Sequence, residues 1–193
     1  MTLALGTSLQ ERDEAGLALA EDAERIARAC HAVALCFHQG GRLLSFGTGQ
    51  SAADAAHLAV EFVHPVIVGK RALPAFSLAN DASAMSGLAR AGVFATQLRL
   101  LGRAGDVAVG ITVDDDCDEV AAGLAVAREM GMTTLALTKA GGLDSAVVDH
   151  LLTARSRDPQ VARELHMTTY HVLWELVHVF LNDPLLAATE VSR

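Results

Sequence analysis

Apolar residues recur at helical spacing near the start of the chain. Leu17, Ala20, Ile26, Ala29, Val33 and Phe37 fall along one helical path. The segment Ser8 to Glu11 (Ser-Leu-Gln-Glu) has the form of a capping box and predicts that this helix starts there. Gly40-Gly41 predicts its end. Beyond that point the period changes. Short continuous apolar runs, Leu43 to Phe46, Leu73 to Leu78, Asp106 to Thr112, Thr133 to Thr138 and His150 to Ala154, read as strands. Between them lie helical stretches from Ser51 to about Val63, Ala82 to Leu101 and Val120 to Met130. A long helix from Pro159 to about Leu181 closes the pattern.

Strands that alternate with helices and are apolar throughout indicate a parallel sheet covered on both faces. The expected fold is therefore α/β: a three-layer αβα sandwich, flavodoxin-like, with long N- and C-terminal helices. At 193 residues it is expected to form one domain, 1–193. Ligands of such sheets sit outside the carboxyl ends of the strands. Those ends are Gly47 to Ser51, Asn80 to Ser83 and Thr112 to Asp116.

Composition narrows the function classes. Half the residues are hydrophobic (51%) and 20% are charged, which argues against disorder. The formal net charge of -8 argues against a nucleic-acid surface. No signal peptide or membrane span stands out, so a cytoplasmic protein with no membrane partner is expected. Cys30, Cys36 and Cys117 form no CxxC pair and read as reduced thiols, the first two as helix-face packing residues.

Four groups of residues carry candidate chemistry. The turn Gly47 to Ser51 joins a strand to a helix, where free amides favour an anion and Ser51 adds a hydroxyl; any such turn also wants Gly and a Ser cap. His57 and Glu61 share a helix face and could hold a metal or act as acid and base; a solvated pair, or a His packed on the sheet, fits the same spacing. On the last helix Glu164, His171, Glu175 and His178 fall near one face, which reads either as surface or as a site facing another subunit or the first helices. Asp114, Asp115 and Asp116, followed by Asp118 and Glu119, suit a helix N-terminus or a divalent cation but would repel a phosphate.

Together these residues resemble the phosphoheptose isomerase family of the sugar-isomerase (SIS) fold. Phe46 to Val63 (FGTGQSAADAAHLAVEFV) looks like that family's Gly-Asn-Gly-Gly-Ser-Ala-Ala-Asp-Ala-x-His-x-x-x-Glu segment, with Ser51, Ala52, Ala53, Asp54, His57 and Glu61 matching. RELHMTTYHVLWELV, from Arg163, resembles its closing Gln-Glu-x-His-x4-His helix, and the likeness covers nearly the whole chain. The resemblance implies an aldose–ketose isomerase acting on sedoheptulose 7-phosphate or a related sugar. It implies Glu61 as general base, His171 as general acid, and zinc held by His57, Glu61 and His171. It further implies substrate contacts from Thr48, Gly49, Ser51, Asp54, Asp81, Ser83, Thr112 and Arg163, and a homotetramer whose sites combine neighbouring subunits.

This chain departs from the pattern in four places. The family's metal-binding Gln falls at Arg163, which has no lone pair to give. Its first-loop Asn is Thr48. Its Ser-Thr-Ser-Gly-Asn-Ser phosphate loop falls on Thr112 to Cys117, so the acidic run takes its place, with Arg163 a candidate counter-charge. Its Asn-Asp-Tyr-Gly segment is shortened to Arg90-Ala91-Gly92. A non-catalytic SIS-domain binding or assembly protein that has lost sugar-phosphate binding is therefore the alternative expectation, and a metal-binding accessory protein a third.

Overall fold

The computed structural model describes residues 2–88 and 92–183, and the expectations that fall on Arg90 and Ala91 lie outside these residues. The elements run α1 (Thr2–Glu21), α2 (Ala23–His38), β1 (Leu43–Gly47), α3 (Ser51–Val63), β2 (Ala75–Ser77), α4 (Ala82–Gly87) and α5 (Val93–Leu101). They continue β3 (Val107–Thr112), α6 (Asp118–Glu129), β4 (Thr133–Lys139), β5 (His150–Ala154) and α7 (Pro159–Leu181). All five strands are parallel, in the order β2-β1-β3-β4-β5. This is the three-layer α/β architecture that the alternating pattern predicts.

Strand alternation divides the core in two. Leu43, Val107, Val109, Ile111, Leu135 and Leu137 point to one face and pack with Val33, Phe37, Leu58, Phe62, Tyr170 and Trp174 of α2, α3 and α7. Their neighbours Leu44, Phe46, Ala108 and Ala136 point to the other face, against Phe94, Leu98, Val120 and Leu124 of α5 and α6. Both faces are covered by helices, so the strands show no regular apolar–polar alternation, and buried Ser45 spends its hydroxyl on the Ala55 carbonyl. Each fully buried Leu, Val or Phe contributes about 1.5–3 kcal/mol relative to exposure.

The structure corrects four local expectations. Ser8 starts no helix: α1 already runs from Thr2, and the Ser8 hydroxyl accepts a hydrogen bond from Arg12 inside it. The first helix is two, α1 and α2, divided at Asp22, whose carboxylate accepts from Arg155 Nε and Nη2 at 3.2 Å each. β2 is shorter than Leu73 to Leu78. The Leu73 amide donates to Phe62 O at the end of α3, and Pro74 has no N–H to give the ladder. Residues 82–101 hold two helices rather than one, with Gly92 at a φ of +73° immediately before α5. Among the described residues, no helix is long and apolar enough to cross a membrane.

Candidate active site

α3 follows β1 and α7 follows β5, so both helices leave the carboxyl edge of a parallel sheet and run side by side in the same direction. Asp158 starts α7 by accepting from the Gln160 and Val161 amides, with Pro159 in the first turn. The shared direction creates a ladder of side-chain contacts. At the top, buried Asp54 takes two parallel hydrogen bonds from Arg163, Nε at 2.8 Å and Nη2 at 2.9 Å. Arg163 Nη1 also donates to Gln50 Oε1 at 3.0 Å. The hydrogen bonds that Arg163 donates to Asp54 push the guanidinium pKa up from its ordinary value.

One turn further on, His57 Nδ1 lies 2.8 Å from the Tyr170 hydroxyl. His57 Nε2 lies 3.0 Å from Glu61 Oε1, and His171 Nε2 lies 3.8 Å from the same oxygen. The rings of His57, Tyr170 and His171 meet edge to face, with centroids 5.1–5.3 Å apart. Tyr170 is wholly buried, and burial is the main cause that pushes its phenol pKa upward. His57, Glu61 and His171 are half-buried, open to a small molecule yet shielded. One ligand atom from each can be chosen so that all lie within 4.8 Å of one another. Tetrahedral ligands at about 2.0–2.1 Å from zinc lie about 3.3 Å apart, so this donor set fits such an ion after small side-chain shifts. Arg163, held by Asp54 and Gln50, adds no ligand, and three protein ligands with an open position is the arrangement of catalytic zinc sites.

The strand ends form a second region. The sheet order reverses between β1 and β3, the switch point where open α/β sheets receive ligands. A Cβ on Gly47 would come within 2.6 Å of Ile111 O, so the turn after β1 requires glycine. Thr48 is half-buried and Gly49 is exposed, with a φ of +54°. Ser51 is wholly buried and its hydroxyl has no hydrogen-bond partner among the described residues. Thr112 is also buried, and its Oγ1 accepts from the Asp114 amide at 3.2 Å. A carboxylate oxygen of Asp114 stands 3.9 Å from where a Gly49 Cβ would lie. Asp115 pairs with Lys139 Nζ at 2.7 Å, and that ammonium holds its carboxyl below the usual range. Asp116 accepts from the Asp118 amide at 3.4 Å, and Glu119 from the Val93 amide at 3.1 Å. Asp81 and Ser83 are exposed at the end of β2, where Asp81 caps α4 by accepting from the Ser83 and Ala84 amides.

The structure thus joins Asp54 to Arg163 and His57 to Glu61 and His171, and sets Thr48, Gly49, Ser51 and Thr112 along the strand ends. It corrects the counter-charge of the acidic loop: Lys139, not Arg163, pairs with it, because Arg163 is engaged by Asp54. It also splits the face expected on α7. Glu164 and Glu175 are exposed, the former bound to Arg12 of α1, whereas His178 is buried beside Trp174 and reaches the Arg71 carbonyl. Sequence reasoning missed Tyr170, Lys139 and Gln50. Tyr170 is the chain's one tyrosine and immediately precedes His171, a signal that was there to read.

Comparison with known proteins places this arrangement. The family described as SIS domain matches residues 15–139. The chain belongs to the SIS domain family. Within it, the chain is 38% identical over 174 residues to a phosphoheptose isomerase of Desulfovibrio desulfuricans, covering 87% of this chain and 82% of that protein. It is 36% identical to one from Aquifex aeolicus, covering 87% and 91%. Among solved structures, a phosphoheptose isomerase of Neisseria gonorrhoeae superposes with a TM-score of 0.81 at 28% identity, covering 91% of this chain and 97% of that one. One from Francisella tularensis, at 24% identity and a TM-score of 0.85, supports the SIS fold alone.

Proposed function

We propose that this SIS-domain chain is a cytoplasmic aldose–ketose isomerase of the phosphoheptose isomerase type, acting on sedoheptulose 7-phosphate or a related sugar. One observation carries the reading: a single carboxylate, Glu61, faces two imidazoles, all three half-buried, where α3 and α7 run side by side. Moving a carbonyl along a sugar needs a base for the carbon proton and an acid for the oxygen. In this reading Glu61 takes the proton from the carbon beside the carbonyl. His171 gives a proton to the carbonyl oxygen, and the enediol forms. Glu61 then returns its proton to the former carbonyl carbon while His171 takes the proton of the other enediol hydroxyl, which becomes the new carbonyl and restores both groups. His57 holds Glu61 in place. Zinc, bound by His57, Glu61 and His171, would polarise the carbonyl. The names of the relatives support the substrate class.

The test is solvent-deuterium incorporation into sedoheptulose 7-phosphate, followed by NMR, for wild type, Glu61→Gln and His171→Asn. Each variant is expected to lose about 10²–10⁴-fold in rate. Wild type that exchanges no proton in any heptulose, phosphorylated or not, sinks the isomerase reading.

The acidic loop favours a second reading, a binding or assembly protein that has lost its sugar phosphate. Carboxylates occupy the start of α6, where a phosphate needs donors. The His57, Glu61 and His171 group weighs against this reading, because assembly alone does not require it. We further propose a homotetramer with shared sites. Supporting it, Val60, Val63, Val66, Ile67 and Val68 expose an apolar end of α3 and the loop that follows.

A further inference from the structure

We propose that Tyr170 is the positioning residue of His57, its hydroxyl holding the ring by Nδ1 in either tautomer so that Nε2 stays aimed at Glu61 and His171. The proposal rests on the metal-assisted reading above. His57 meets an oxygen with each nitrogen: the Tyr170 hydroxyl at Nδ1, 2.8 Å away, and Glu61 Oε1 at Nε2, 3.0 Å away. A neutral imidazole has one N–H and one lone pair. An ionised Glu61 only accepts, whereas a hydroxyl both donates and accepts. Two arrangements therefore satisfy both nitrogens. Without a cation, Nε2–H donates to Glu61 and the Tyr170 hydroxyl donates to bare Nδ1. With a cation on Nε2, the proton sits on Nδ1 and donates to the Tyr170 oxygen. A carbonyl in place of the hydroxyl would serve only the second arrangement, and a phenyl ring neither.

The packing makes this partner a fixed one. Tyr170 is wholly buried and stands edge-on to both His57 and His171, with centroids 5.3 and 5.1 Å away. Its hydroxyl has no room to swing to solvent. It also precedes His171 directly on α7, so one helix carries both the second imidazole and the group that orients the first. The His57 ring keeps one orientation whether or not a cation is bound, and only a proton changes place. Outer partners of metal-binding histidines act in this way, fixing ring direction.

The experiment compares wild type, Tyr170→Phe and His57→Ala, prepared without chelator and titrated with zinc and, separately, with cobalt(II). Tyr170→Phe is expected to bind zinc about 10–100-fold more weakly, with an altered cobalt absorption spectrum and an unchanged far-ultraviolet circular dichroism spectrum. Imidazole ¹⁵N NMR of the wild type at pH 8 should show His57 as the Nε2–H tautomer without metal and with the proton on Nδ1 once zinc is added. A variant that binds zinc as tightly as wild type, with the same cobalt spectrum, overturns the positioning role and leaves the metal reading standing. Wild type that binds no more zinc than His57→Ala overturns the metal reading and, with it, the cation-bound half of the proposal. A metal-free wild type with the proton on Nδ1 overturns the proposal whatever the variants do.

Discussion

Arg163 and Asp54 make the most demanding single contact between α3 and α7. The carboxylate is buried and takes two parallel hydrogen bonds from one guanidinium. Removing the cation leaves a buried charge unpaired, which typically costs about 3–5 kcal/mol. Arg163→Ala should therefore lower the urea-unfolding free energy by about that amount, and Asp54→Asn in the same chain should recover much of it. Equal stabilities of Arg163→Ala and wild type would show that the pair contributes nothing. Buried His166, on the core side of α7, gives a second prediction: burial drives its pKa below the ordinary 6.5, with the Thr138 backbone opposing less strongly. Half-buried His150 shifts the same way, again through burial. Below pH 6.5 the unfolded chain then binds more protons than the folded one, so stability falls as pH falls. The melting temperature should drop from pH 7.5 to 5.5, and His166→Asn should flatten part of that slope. A slope unchanged by the substitution would remove His166 as its source. At this scale the sequence showed what spacing can show. His57 and Glu61 were visible because four residues is one helical turn. Lys139 and Tyr170 were not, because each meets its partner across the fold: Lys139 reaches a loop from the end of β4, and Tyr170 reaches α3 from α7.

Among the elements, the loop from Val113 to Cys117 has the clearest consequence. Lys139 neutralises Asp115, which leaves Asp114, facing the Gly49 turn, and Asp116, at the start of α6, to act on any anion there. A carboxylate about 4–6 Å from a phosphate dianion costs on the order of 1–3 kcal/mol after screening, and each 1.4 kcal/mol is about tenfold in affinity. Calorimetry should therefore find sedoheptulose 7-phosphate binding weakly to wild type. Replacing residues 112–116 with Ser-Thr-Ser-Gly-Asn should tighten it by about tenfold or more, while leaving unphosphorylated sedoheptulose unchanged. Micromolar binding of the phosphate by wild type would defeat the argument. The strands and the long helix α7 were readable because apolar runs and helical spacing are strong periodic signals. The break at Asp22 was not, because apolar spacing continues across it and the break is held by Arg155, far along the chain. Ser8 to Glu11 misled because a capping-box pattern can also lie within a helix, where Ser8 bonds to Arg12 instead.

For the molecule as a whole, the apolar patch from Val60 to Val68 and the exposed Leu9 and Leu17 of α1 need covering. Light scattering at micromolar concentration should report four subunits, and a clean monomer would sink the tetramer and its shared sites together. The sequence could supply the fold class, but which faces stay bare depends on how the layers close, and that is visible only in three dimensions.

α1 itself is loosely held within one chain. Of its side chains from Ser8 onward, Ala15 alone is buried, and Arg12 with Glu164 and Arg155 with Glu21 tie the helix or its end to the body through partly exposed ion pairs. Such pairs are worth little individually and fade with salt. In a dissociated chain, the amide protons of α1 should therefore exchange with deuterated solvent well before those of α2, by opening of that helix alone. In the proposed tetramer a neighbour would close it down. Exchange at α1 that speeds up on dilution, while α2 stays protected, would make this helix the molecule's own gauge of how many copies surround it.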